Sequence, residues 1–116
     1  MKQYVGGCHC GSIRFTVDMD IEEVLSCNCS ICSRRGHLLA FTSEDNFHLQ
    51  KGKDFLTDYQ FREKNIHHLF CKVCGIASFG KGSMPDGTRM VSINVRCLDG
   101  VDFEKFPVKN FDGRSL

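Results

Sequence analysis

The chain lacks the features that would place it in a membrane or on nucleic acid. It has no tryptophan, and no apolar run approaches the ~20 residues that span a bilayer. Its 15 basic and 14 acidic side chains give a net charge of +1, too small to concentrate nucleic acid. With 116 residues, 41% of them apolar, it has the length of one domain with a modest core. We predict a single soluble domain over residues 1–116 without membrane contact, and the overall charge gives no indication of a nucleic acid partner.

Signals for export and for a disulfide scaffold are also missing. The N-terminus, MKQYVGGCHCG, has no charged segment followed by an apolar one, so it predicts no signal peptide. Eight cysteines in 116 residues fall below the roughly 8–10% that is typical of small disulfide scaffolds. We therefore expect an intracellular, cytoplasmic protein whose thiols stay reduced.

The cysteines that are present fall into short-spaced groups. These are Cys8-x-Cys10, Cys27-x-Cys29-x-x-Cys32 and Cys71-x-x-Cys74, with Cys97 alone. Thiolates one or two residues apart can share one zinc ion, whereas such neighbours make poor structural disulfides. This spacing favours metal binding over the alternative of a disulfide framework. The groups hold more sulfur than one zinc ion can use, so we predict two zinc ions per chain.

The hydrophobic pattern predicts an all-β fold. Residues 12–18 alternate, with Ile13, Phe15 and Val17 on one face. Short runs rich in β-branched or aromatic residues recur with turn signals between them, and no long helical periodicity is present. The predicted strands are 12–18, 38–42, 47–50, 56–61, 66–70, 76–79 and 90–94; the predicted turns are 51–54, 63–65 and 80–87, with a helical turn at 43–45.

The cysteine groups differ in how many ligands they offer. Two of them, Cys8 with Cys10 and Cys71 with Cys74, would together make a closed four-thiolate site with a stabilising role. The group of Cys27, Cys29 and Cys32 offers three thiolates, and a zinc ion with three protein ligands keeps a fourth position for water or substrate. The alternative is that Cys97 completes a second closed site, because ligand pairing is not encoded in spacing.

Charged and aromatic neighbours suggest further site residues. Arg34 and Arg35 follow the three-cysteine group directly, and a pair of arginines can bind a carboxylate or phosphate in a bidentate manner. The alternative is a solvated turn. The histidines show no metal-binding spacing; His68, three residues before Cys71, is the one best placed to donate a hydrogen bond to a thiolate or a substrate.

Four blocks of the sequence resemble a known family. They are residues 6–15 (GGCHCGSIRF), 27–32 (CNCSIC), 70–75 (FCKVCG) and 94–99 (NVRCLD). In this order they resemble the glutathione-dependent formaldehyde-activating enzyme family over about residues 4–106. Residues 47–61 are similar to its centromere-protein-V-like branch.

The resemblance implies a compact β-tent fold of short antiparallel strands with two zinc sites. It implies that Cys8, Cys10, Cys71 and Cys74 hold a structural zinc, and that Cys27, Cys29 and Cys32 hold a functional one and are the catalytic residues. Arg34, Arg35 and Arg96 are then candidates for binding the carboxylates of a thiol such as glutathione.

The implied activity is that of a zinc-dependent carbon–sulfur lyase acting on adducts of thiols and aldehydes, of the S-hydroxymethylglutathione type. The alternative is a zinc-stabilised module without catalytic activity, which binds a protein or nucleic acid. The two differ in whether the three-cysteine site has an open position, which the number of ligands decides.

Overall fold

The computed structural model describes residues 1–62 and 64–116, which fold into a three-stranded and a seven-stranded sheet. Strands β1 (Lys2–Gly7), β2 (Arg14–Met19) and β5 (Phe47–Lys51) form the small antiparallel sheet in the order β1-β2-β5. The other strands are β3 (Val24–Cys27), β4 (Leu39–Ser43), β6 (Leu56–Tyr59), β7 (Ile66–Cys71), β8 (Phe79–Ser83), β9 (Arg89–Asn94) and β10 (Val108–Phe111). A short helix, α1 (Cys32–Arg35), follows β3. The predicted all-β class is confirmed.

The large sheet has the order β10-β3-β4-β9-β8-β7-β6. Its pairs are antiparallel except for β10, which runs parallel to β3. Residues 95–107, which contain two short 3-10 turns, connect β9 to β10 and bring β10 to the edge of the sheet beside β3. Across residues 1–62 and 64–116, the helices are all too short to cross a bilayer.

Three phenylalanines join the two sheets in the core. Phe15 and Phe47 come from the small sheet and Phe79 from the large one, with ring centroids 4.5–5.7 Å apart. The alternation predicted for residues 12–18 is confirmed, because Ile13, Phe15 and Val17 are all fully buried. Aromatic pairs at these distances stabilise the core beyond the area that they bury.

One predicted strand is wrong. Residues 76–79 were predicted as a strand, but β8 begins only at Phe79 and runs through the first part of the predicted turn 80–87. The backbone of Ile76 instead closes the turn after Cys71, where Cys71 N–H donates to the Ile76 carbonyl at 3.0 Å. Position 80 in β8 favours glycine, because a β carbon there would lie 2.9 Å from Ser92 Oγ of β9.

Other boundaries follow the pattern more closely. The helical turn predicted at 43–45 is a 3-10 turn over Glu44–Asn46, capped by the Ser43 hydroxyl, which accepts from Asp45 N–H at 3.3 Å. The turn predicted at 63–65 includes residue 63, which lies outside the described residues. Strands β1, β3 and β10 are absent from the predicted set. β1 carries two polar residues and two glycines, and β3 and β10 have only four residues each.

We expect the phenylalanine cluster to dominate the stability of the core. Phe15→Ala should lower the free energy of unfolding by about 3–5 kcal/mol, because it leaves a cavity between the two sheets. Phe55→Ala removes the same atoms from a ring that is 40% exposed and should cost about 1 kcal/mol. Urea unfolding of the zinc-loaded protein checks both values; equal losses would contradict the role of Phe15.

Candidate functional site

The first cysteine cluster brings together the ends of two distant strands. Cys8 and Cys10 follow β1, Cys71 ends β7, and Cys74 lies in the turn after it; the four Sγ atoms all lie within 4.8 Å of one another. Cys10 Sγ is 3.6 Å from Cys8 Sγ and 3.7 Å from Cys71 Sγ. Four sulfurs at 2.3 Å from a tetrahedral zinc ion would be about 3.8 Å apart. The donor set therefore fits zinc, and all eight cysteines are free thiols.

Backbone N–H groups surround these sulfurs. Ile13 N–H donates to Cys8 Sγ at 3.3 Å, and Val73 and Cys74 N–H groups point to Cys71 Sγ at 3.4 and 3.5 Å. Burial raises the pKa of Cys74, but hydrogen bonds from the backbones of Cys10 and Ile76 and from neighbouring thiols outweigh it and lower that pKa to about 6. These donors stabilise the thiolate form, which is the form that binds a metal ion.

The second cluster is built by the end of β3 and the start of α1. The Sγ atoms of Cys27, Cys29 and Cys32 lie within 4.8 Å of one another. Burial, followed by the neighbouring Cys29 and Cys27 sulfurs, strongly raises the pKa of Cys32. Three thiolates at this spacing repel one another, so a cation is required to hold all three deprotonated. The chemistry of the second cluster therefore also fits zinc.

Cys97 lies beside the first cluster and is not a member of the second. It sits in the 3-10 turn after β9 and is half-buried. Burial, with Cys8 and Cys74 nearby, raises its pKa to about 11. The group formed by Cys27, Cys29 and Cys32 offers three ligands from the described residues. In the structure, Cys97 therefore lies with the first cluster, and the second cluster is formed by three thiol groups.

A cavity of about 300 Å³ opens over the second cluster. All three cysteines line it, together with Arg35, His37 and His68. Among the three arginines singled out from the sequence, Arg35 is the one that reaches this cavity. Arg34 donates to the Ser30 carbonyl at 2.8 Å and lines a neighbouring depression. Arg96 lies over the Phe103 ring at 4.5 Å, away from the cavity.

Two histidines contribute to this cavity. His37 Nε2 lies 3.3 Å from Cys32 Sγ. His68 stacks on the Phe61 ring, with centroids 5.1 Å apart. Burial, then the charge of Arg35, lowers the pKa of both imidazoles, that of His37 to about 4. Both rings are therefore neutral at neutral pH.

Sequence reasoning connected His68 with Cys71, but the two belong to different sites. They are three residues apart on the same strand, and side chains an odd number apart point to opposite faces. The alternation of side chains along a strand therefore indicates that His68 points away from the cluster that contains Cys71. No sequence pattern indicates a role for His37, because it approaches Cys32 only in the folded protein.

The C-terminal segment packs directly on the second cluster. Asn28, between Cys27 and Cys29, donates to Asp112 Oδ1 and accepts from Arg114 N–H, both at 2.9 Å. These bonds bring the backbone of Gly113 over the sulfurs, where a β carbon would lie 2.7 Å from Cys27 Sγ. Glycine is required there by this close approach. Sequence reasoning missed this contact altogether.

Comparison with known proteins shows the family to which the chain belongs. The family model described as glutathione-dependent formaldehyde-activating enzyme matches residues 3–110. The chain belongs to this family. Its fold is also similar to the crystal structure of a Rhodobacter sphaeroides protein, with a TM-score of 0.78 and 30% identity over 90% of this chain and 99% of that one. The family assignment from the four sequence blocks is thus confirmed.

We expect Gly113→Ala to weaken metal binding at the second cluster alone. The added methyl would displace Cys27 Sγ, and disturbing the surroundings of a metal ligand typically raises the Kd about 10- to 100-fold. Gly82→Ala is the matched control, because its nearest contact would be an ordinary 3.6 Å. Native mass spectrometry with a competing chelator counts bound zinc; a Gly113→Ala protein that keeps both ions as tightly as Gly82→Ala would contradict the packing argument.

Proposed function

We propose that the protein is a zinc-dependent carbon–sulfur lyase-like enzyme that acts on adducts of glutathione, or a similar thiol, with an aldehyde. One observation carries the proposal: a three-thiolate cluster lines a cavity of about 300 Å³, while the four-thiolate cluster is already complete. A site with three protein ligands and space beside it is typical of catalytic zinc, whereas a closed four-thiolate site is structural. In this proposal Cys27, Cys29 and Cys32 are the catalytic residues and Cys8, Cys10, Cys71 and Cys74 are structural.

The reaction joins a thiol sulfur to an aldehyde carbon, and the thiol proton ends on the former carbonyl oxygen. When bound by the three cysteines, zinc supplies a fourth coordination position and keeps a coordinated thiol deprotonated. His37, in contact with Cys32 Sγ, orients that ligand. The neutral imidazole of His68 provides an N–H group that is available to donate a hydrogen bond to the aldehyde oxygen.

Charge in the cavity favours an acidic thiol. Arg35 lines it, and the ion pairs of residues 1–62 and 64–116 engage Arg14, His67, Lys81 and Arg89 rather than Arg35. Burial lowers the pKa of Arg35, yet a guanidinium stays charged at neutral pH and can bind a carboxylate in a bidentate manner. Arg35 is therefore the carboxylate-binding residue that we propose, ahead of Arg34 and Arg96.

Two finer assignments complete the proposal. The similarity of residues 47–61 supports placement in the centromere-protein-V-like branch. The eight free thiols suit the reducing cytoplasm, which is our proposed location for a protein of one domain.

The first experiment counts zinc ions in the reduced protein by native mass spectrometry, with and without glutathione. We expect two ions, with glutathione forming a ternary adduct at the second site. Two ions that are indifferent to glutathione would instead favour a zinc-stabilised binding module without catalytic activity.

Substitution then separates the two clusters. We expect Cys29→Ser to bind one zinc ion and to lose conversion of glutathione and formaldehyde, followed by NMR, because two thiolates do not retain the metal. Cys97→Ala should keep both ions and the activity, since Cys97 lies outside the second cluster. Full turnover by Cys29→Ser would refute the mechanism.

A further inference from the structure

The walls of the cavity are far more apolar than formaldehyde requires. Arg35 and His37 lie near Cys32, and His68 also lines the cavity. The remaining wall is largely hydrophobic and includes Leu25, Leu39, Phe41, Ile66, Phe79 and Phe111. A ligand of one carbon would touch almost none of this surface, so the wall has no role in a reaction confined to formaldehyde.

The apolar surface continues beyond the cavity. A groove of about 400 Å³ shares Phe41, Ile66 and Ser92 with the cavity and extends to Met84 and Met90 at the far end of the β8–β9 hairpin. Lys81 also lines this groove, but its ammonium lies 3.9 Å from the Glu44 carboxylate. Phe41 and Ile66 line both spaces, so hydrophobic side chains extend from the cavity over the three cysteines to the end of the hairpin.

Three of these side chains are exposed to solvent. Phe41 and Ile66 are each 49% exposed and Met84 is 50% exposed. Contiguous exposed apolar residues on a protein surface mark a binding site more often than single ones do. Methionine side chains are flexible and adapt their shape to irregular apolar ligands.

Glutathione does not match this surface. It carries two carboxylates and an ammonium group, which lose hydration against an apolar wall without gaining partners. Arg35, close to the cysteines, can accept one carboxylate. The component that fits the wall is therefore the aldehyde.

Resting on the proposed function, we propose that the aldehyde component carries an aliphatic chain, which lies from the three-cysteine cluster along Phe41 and Ile66 toward Met84 and Met90. The substrate class is the hemithioacetal of a thiol with such an aldehyde. Its formation makes one carbon–sulfur bond and moves the thiol proton to the carbonyl oxygen; its breakdown reverses both changes. Neither direction needs an oxidant or a reductant.

The test measures binding of stable adduct analogues and does not depend on turnover. Each buried methylene contributes roughly a fourfold gain in affinity. We expect S-octylglutathione to bind the zinc-loaded protein at least ~10-fold more tightly than S-methylglutathione, by isothermal titration calorimetry, since part of the chain stays exposed. Equal Kd values for the two analogues would overturn the proposal.

Substitutions in the groove test where the alkyl chain of the analogue binds. Phe41→Ala and Ile66→Ala should each reduce the ratio of the two Kd values about threefold or more, while both keep two zinc ions. Val5→Ala is the control, because Val5 is similarly exposed, at 41%, but lies on β1; it should leave the ratio unchanged. An equal reduction in the control would overturn the assignment of the groove.

Turnover distinguishes this proposal from the proposed function. Conversion of formaldehyde with glutathione, together with equal Kd values for S-octylglutathione and S-methylglutathione, would support the function and overturn the aliphatic substrate. Tighter binding of S-octylglutathione than of S-methylglutathione, without turnover of formaldehyde or octanal, would support the groove as an aliphatic binding site. It would refute the proposed enzymatic activity.

Discussion

The fold depends on the junction between Cys8 and Cys10 on one side and Cys71 and Cys74 on the other. Cys10 and Cys71 are 61 residues apart in sequence and have sulfurs 3.7 Å apart. Closing so long a loop costs conformational entropy, and metal binding by thiolates can offset that cost because its free energy is also folding free energy. Since β1 belongs to the small sheet and β7 to the large one, the same contact fixes the two sheets relative to each other, over the phenylalanine core.

The second cluster differs from the first because its cysteines are close together in the sequence. Its three sulfurs come from one short stretch at the end of β3, so they contribute little to joining distant parts of the chain. What completes their surroundings is the parallel strand β10, whose following residues reach back to Asn28 through two hydrogen bonds of 2.9 Å. A metal site that does not join distant parts of the chain can leave a ligand position open, because the stability of the fold does not depend on filling that position.

The two cysteine pairs and the three-cysteine group could be predicted from the sequence, because the spacing within each of them is local. That the two pairs meet in one cluster was expected from the number of thiolates that zinc binds. The β2 alternation was equally clear, since Ile13, Phe15 and Val17 follow the period of a half-buried strand. The cavity could not be predicted. His37 meets Cys32, and Gly113 meets Cys27, only through pairing of strands that are distant in sequence. Strand β8 was misplaced for the same reason, because its glycines look like a turn until β7 and β9 pack against them.

Strand β7 links the two sites. Its last residue, Cys71, is a candidate ligand of the first cluster, and His68, on the opposite face of the strand, lines the cavity over the second. A residue held at one end of a hydrogen-bonded strand limits how its neighbours can shift, because β7 pairs with β6 on one side and with β8 on the other. Metal binding at the first cluster would therefore position His68 as well as stabilise the fold, so that the four-thiolate cluster would contribute to the geometry of the cavity over the three-thiolate one.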